Sequence, residues 1–310
     1  MYNKNNSEEP IIVLGFGRSG TTWISDIISK SVGGLILFEP FHPEVFPLAK
    51  ECCYHNGTDD SLLQSTKLQI EQTFNKENKN KWLIRNHLST HLDDVSTDFS
   101  NDVWNNCNII GYKSIRQNFL APWLYKNISK KIVFVQRDLL SVISSLLKRK
   151  QFWKEFGFDF HEKKFLKEIF HLDTYPYLQK QALINLYDSL EDDFLRMTFI
   201  WVITHEIIKR DFEKLNLPIF QYNDFYENPY ASTLKVLNYL GYDNINLHPS
   251  YLFTPSMLTL RTFHKGVNGN GLNGIKFWED TLKESQVDQI LKLEYDILKL
   301  VDITSYVTKE

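Results

Sequence analysis

"IIVLGFGRSGTTWISDIISK", residues 11–30, decides the fold. A run of apolar residues breaks into a glycine-rich turn, and an amphipathic segment follows at once. A loop that grips phosphate between a buried strand and a helix is written this way, because the glycines let backbone N–H groups converge and the helix offers its positive end. Gly15 and Gly20 have the five-residue spacing of a nucleotide-hydrolase loop, yet Thr21 stands where that loop carries its lysine. The loop is built for phosphate but lacks the side chain that serves a metal-bound triphosphate.

Outward from this stretch, short β-rich runs recur at wide intervals: IIVLGF (11–16), GGLILF (33–38), NIIGYK (108–113), KIVFVQ (131–136) and LPIFQY (217–222). Most are continuous rather than alternating, as expected of strands covered on both faces. Helical patterns lie between them, at SVISSLLKRK (141–150), at DFLRMTFIWVITHEIIKR (193–210) and at SQVDQILKLEYDILKLV (285–301), with apolar residues at three- and four-residue steps. The expectation is a doubly wound α/β domain on a five-stranded parallel sheet, spanning residues 11–310. Two regions, about 56–106 and 151–190, exceed an ordinary crossover and read as helical insertions that build an acceptor pocket.

Composition narrows the function classes. With 310 residues, 43% of them hydrophobic, and a net charge of −3, the chain has a core large enough for one domain and no global field for nucleic acid or an anionic membrane. Any anion must be met by a local cluster. No apolar run reaches the roughly 20 residues of a membrane span. The start, MYNKNNSEEP (1–10), resembles neither a signal peptide nor an organelle address, so a frayed tail and a cytoplasmic protein are expected. Cys52, Cys53 and Cys107 cannot pair into a disulfide framework and are expected to be plain thiols, with no metal site at CCYH (52–55).

Ligands of open α/β sheets bind at the carboxyl ends of the strands, so the residues just past each strand carry the chemistry. After the first come Gly17, Arg18, Ser19, Gly20, Thr21, Thr22 and Trp23, a loop with hydroxyl donors and a fixed cation. After the fourth come Arg137 and, eight residues on, Ser145, a second anion site about two helical turns long. Two anion sites on neighbouring strands suit a nucleotide with phosphates at two places.

At this point the chain resembles a known family. GRSGTTW looks like the 5'-phosphosulfate loop of the sulfotransferases that use 3'-phosphoadenosine 5'-phosphosulfate (PAPS), and IVFVQRDLLSVISS is similar to their 3'-phosphate motif, with Arg137 and Ser145 at the family spacing. QYNDFYENP (221–229) resembles the strand-end segment that follows, and HKG (264–266) their terminal Arg-Lys-Gly. The resemblance spans residue 11 to about residue 278. It implies a sheet related to nucleotide kinases, PAPS as co-substrate without a metal, and transfer of a sulfuryl group to an acceptor. By resemblance Trp23 stacks on adenine, and Lys265 and Gly266 close over the 3'-phosphate.

The departures from the family are informative. Phenol and steroid members have Lys-Thr-His after the third strand, with the histidine as base, whereas this chain has KSIR, with Lys113 and Arg116 and no histidine. They carry lysine where Arg18 stands, and arginine there is more like the tyrosylprotein and carbohydrate enzymes, which place an acid after the second strand. Glu39 in LILFEPFHPE provides it. The expected catalytic set is Glu39 as base, Arg18 and Lys113; His42 is the rival base, and His87 and His91 are weaker ones. Asp224, Trp201 and His205 are assigned to the core and its supporting shell. A saccharide hydroxyl is the preferred acceptor, a lipid or phenol the alternative. A kinase or a binding module without turnover is the competing class, the former disfavoured because Asp138 comes one residue late for a metal-binding acid at the strand end and follows an arginine.

Overall fold

The computed structural model describes residues 9–55, 57–78, 80–84, 104–148, 165–167, 169, 179–253 and 278–301. Five strands form one sheet: β1 (Ile11–Gly15), β2 (Leu35–Phe38), β3 (Ile109–Ser114), β4 (Ile132–Gln136) and β5 (Ile219–Gln221). Their order is β2-β3-β1-β4-β5, and every pairing is parallel. The five expected strands are these five, β1, β2, β4 and β5 trimmed at one or both ends and β3 moved on by one residue to end at Ser114.

Alternation along β1 explains why its sequence is apolar throughout. Ile11 and Val13 point to one face, where they pack with α1 (Thr21–Val32). Ile12 and Leu14 point to the other, into the larger core. Across that second face lie α2 (Asp60–Phe74), α3 (Ala121–Asn127), α4 (Leu139–Leu147), α5 (Lys180–Asp188) and the long α6 (Asp193–Lys214). Past β5 the chain continues as α7 (Tyr222–Glu227), α8 (Pro229–Tyr239) and α9 (Pro249–Phe253), with α8 covering the α1 face. The last described helix, α10 (Glu284–Leu300), packs on α6. The described parts of the two expected insertions contain α2, a short 3₁₀ turn at Lys81–Ile84 and α5.

Local chemistry sets the element ends next to the site. Asp138 caps α4 by accepting from the Ser141 N–H at 2.8 Å, which starts the helix two residues before its apolar periodicity suggests. The Gly33 N–H caps the far end of α1 on the Ser29 carbonyl at 3.0 Å, at φ 78°, so GG belongs to a turn rather than to β2. Beyond β3, Asn118 turns its amide onto the last residue of β1, accepting from the Gly15 N–H at 3.2 Å and donating to its carbonyl at 3.3 Å. This fixes where the loop leaves the sheet. Among the described residues no helix is long and apolar enough to cross a membrane.

Gly20 turns the chain into α1 at φ 83°, and a Cβ there would stand 2.2 Å from the Tyr222 ring. Gly20→Ala therefore combines left-handed strain with overpacking and is expected to cost about 2–4 kcal/mol in urea denaturation. A loss below about 0.5 kcal/mol would mean that the loop is not held against Tyr222.

Candidate active site

The chain leaves β1 toward β2 on one side, and leaves β4 toward β5 on the other, so the crevice at the strand ends opens between β1 and β4. The loop after β1 stands in that crevice. Its turn is closed by the Ser19 N–H on the Phe16 carbonyl at 3.1 Å, and Arg18 and Gly20 both adopt left-handed backbone, at φ 74° and 83°. Gly20 ends the turn and α1 begins with Thr21, with no side-chain cap on its first N–H groups. Those donors and the helix dipole make the turn a site for negative charge. The Ser19 hydroxyl, fully buried in the same loop, has no hydrogen-bond partner among the described residues.

The two expected anion sites form one continuous region. Arg18 Nε donates to Ser145 Oγ at 2.8 Å, joining the loop to α4, and Arg137 Nη1 donates to the Arg18 carbonyl at 3.3 Å. The Arg137 guanidinium also lies 4.7 Å from the centre of the Tyr222 ring, which meets Trp23 edge-on at 5.7 Å. Tyr222 thus braces Gly20, Trp23 and Arg137 together. Sequence reasoning missed it, although its position as the first residue past β5 was the available signal. Asp138 does not pair with Arg137; one of its carboxylate oxygens caps α4.

On the other side of the loop, β2 and β3 end side by side and meet through charge. Glu39, 5% exposed, accepts from Lys113 Nζ at 2.8 Å through one oxygen and is gripped by Arg116 through the other. Lys113 Nζ also lies 3.4 Å from Thr22 Oγ1 and 4.2 Å from the centre of the Phe38 ring. One ammonium therefore touches the ends of β2 and β3 and the first turn of α1. Glu39 holds a left-handed backbone, φ 45°, unusual for this residue type and typical of sites where surrounding contacts sustain strain. Burial disfavours its charge, but the Lys113 ammonium and the Arg116 guanidinium outweigh this and hold its carboxyl at about 2. Burial in turn pushes the Lys113 amine down, against the pull of Glu39.

His42 stacks on Trp82, ring centres 3.7 Å apart, and its Nδ1 accepts from the Glu44 N–H at 3.2 Å. Trp201 and His205 are buried, as expected of core residues, but Asp224 is exposed in the first turn of α7 and belongs to neither core nor site; its side of that short helix faces solvent. Cys52 and Cys53 are buried thiols and Cys107 is half-buried. Among the described residues no group of three or more His, Cys, Asp or Glu is placed to hold a metal ion. His87, His91, Lys265 and Gly266 lie outside the described residues.

No family model matches the chain, and no curated protein matches it. Among solved structures, a sulfotransferase domain from the curacin biosynthetic pathway overlays 94% of this chain and 98% of its own at 11% identity, with a TM-score of 0.47. A sulfotransferase domain from the Synechococcus PCC 7002 olefin synthase covers 96% and 98% at 10% identity, with a TM-score of 0.38. Overlays this loose fix no activity, and the functional reading rests on the residues around the loop.

The Glu39 pair has a measurable signature. A carboxyl depressed from its unfolded value of 4.5 to about 2 contributes stability that is fully present above pH 4.5 and is lost as pH falls through 2. Glu39→Gln leaves two cations beside a neutral amide and is expected to cost about 3–5 kcal/mol at pH 7. In urea denaturation the gap between wild type and variant should close by about 3 kcal/mol as pH drops from 4.5 toward 2. A gap independent of pH would mean that Glu39 is not the paired anion.

Proposed function

We propose that the chain is a PAPS-dependent sulfotransferase that moves a sulfuryl group to an acceptor hydroxyl, with a saccharide or glycoconjugate as the preferred acceptor. The observation that carries the reading is the Arg18–Ser145 hydrogen bond, which joins a left-handed, amide-rich loop to a second cationic site. The unpartnered Ser19 hydroxyl and the uncapped first turn of α1 fit an anion there. Gly17, Arg18, Ser19, Gly20, Thr21 and Thr22 would hold the 5'-phosphosulfate, Arg137 and Ser145 the 3'-phosphate, and Trp23 with Tyr222 the adenine side. Lys265 and Gly266 are proposed as the covering segment. Bound there, the nucleotide supplies an activated sulfuryl group on a phosphate leaving group.

The residues divide the work by charge. Arg18 and the loop N–H groups stabilise negative charge growing on the departing phosphate, and Lys113 does so at the sulfuryl oxygens. Glu39 takes the acceptor proton. With its carboxyl held at about 2 it is a poor base while Lys113 and Arg116 grip it. An anionic donor beside the triad competes for those cations and repels the carboxylate, and both effects raise its basicity. The ion pair therefore acts as a latch that keeps the base inactive until donor is present. Glu39→Gln should lower turnover about a hundredfold or more with product affinity retained, whereas His42→Ala keeps most activity.

The class is tested by ligand-induced stabilisation. Adenosine 3',5'-bisphosphate without magnesium should raise the Tm, and magnesium ATP should raise it much less. Arg137→Ala should weaken the bisphosphate by about 1.5–3 kcal/mol while leaving adenosine 5'-phosphate nearly unaffected. A larger shift with magnesium ATP would replace sulfuryl transfer by kinase chemistry, and equal losses for both nucleotides would make Arg137 a support of the fold.

A further inference from the structure

The helix α10 buries one face and shows another. Ile290, Leu293 and Ile297 are buried, and the helix packs on α6. Leu291 and Tyr295, one turn apart, are 45% and 59% exposed. At 100° per residue they share an arc of about 100° with Glu284, Asp288, Lys292 and Lys299, all of them exposed, and this arc lies opposite the buried residues. The outward stripe of the helix therefore carries two large apolar side chains at its middle, where an amphipathic helix facing water carries polar ones.

The stripe is also ordered by charge along the helix axis. Glu284 and Asp288 come first, Leu291 and Tyr295 follow, and Lys299 comes last, its ammonium 4.1 Å from the centre of the Tyr295 ring. Lys292 stands at the edge of the stripe, one turn past Asp288 and within its reach on the same helix. Acid at the start and base at the end suit the helix dipole, so the charges alone do not call for a partner. The dipole gives no reason for the apolar centre. Acid, apolar and base in that order make the stripe complementary to its own reverse.

A second copy of α10 laid antiparallel on this stripe, about a twofold axis level with residue 293, meets it at each part. Leu291 of each copy stands level with Tyr295 of the other. Asp288 of each comes within one residue, about 1.5 Å of rise, of the level of Lys299 across the contact. A parallel arrangement would instead set acid on acid and base on base. Such a twofold contact uses the same patch on both subunits and closes at two.

We infer that the outer face of α10 is the contact surface of a symmetric antiparallel dimer of this chain, with Leu291 and Tyr295 at its centre and an Asp288–Lys299 pair on either side. The inference is independent of the donor reading. A contact of one helix face is small, and the dimer is weak and reversible, with a Kd on the order of 10–100 µM.

The test is sedimentation equilibrium of the full-length protein over a concentration series, in which the average mass should climb from the 36.6 kDa monomer toward the dimer. Leu291→Ser should weaken the association about tenfold, because each dimer loses two buried leucine contacts. Asp288→Lys and Lys299→Asp should each weaken it by about the same factor, since each sets like charges where opposite ones stood. Combining the two reversals restores opposite charges across the contact and should bring the Kd back to within about threefold of wild type. Within one helix the two positions are about 16 Å apart, too far to meet, so this rescue comes from the second copy. A wild type that stays monomeric at the highest concentration would overturn the dimer. So would single reversals that lower the Tm, and a double that lowers it further without restoring association, which would leave the charges to the helix dipole alone. An association that none of these substitutions changes would place the contact elsewhere and overturn the assignment to α10.

Discussion

One buried carboxylate organises the loop end of this sheet. Glu39, the residue after β2, takes a cation through each oxygen, from Lys113 near the end of β3 and from Arg116 in the turn that follows. Because Lys113 also reaches Thr22, the first turn of α1 is tied to both strand ends. A lone buried charge would cost several kcal/mol, so the three side chains must assemble together or not at all. The opposite flank uses other means: Asn118 fixes the end of β1, and Arg18, Ser145, Arg137 and Tyr222 lock the loop against β4 and β5. Between these flanks lies a turn whose amides, dipole and cations all favour negative charge.

Much of the fold was legible because both faces of the sheet are covered. Ile11 to Leu14 reads as an unbroken apolar run only because successive side chains enter different cores. Element ends were less legible, being decided by caps: Asp138 starts α4 early, and Gly33 shortens β2. In the site, the loop spacing and strand-end positions of Arg18, Lys113, Arg137 and Ser145 were enough to single them out. That β2 lies next to β3, so that Lys113 and Arg116 would both meet Glu39, depends on strand order, which no local pattern encodes. Tyr222 escaped notice for the same reason, since its contacts come from β1 and β4. Asp224, left to the core and its supporting shell, is exposed, while its neighbour Phe225 is the residue of that helix that turns inward.

The charged groups of Glu39, Lys113 and Arg116 cluster beside the loop where, on the proposed reading, the donor's anions would sit. A base kept ion-paired until donor arrives would also protect the donor from water, since an unpaired carboxylate beside a bound sulfuryl group would activate water as readily as an acceptor hydroxyl.

The most direct measurement is the titration of the Glu39 carboxyl itself by 13C NMR, in the free protein and with adenosine 3',5'-bisphosphate and sulfate bound. The account predicts a midpoint of about 2 in the free protein and a clear rise when the anions compete for Lys113 and Arg116. A midpoint at the ordinary carboxylate value in the free protein, or one that the anions leave unmoved, would contradict it.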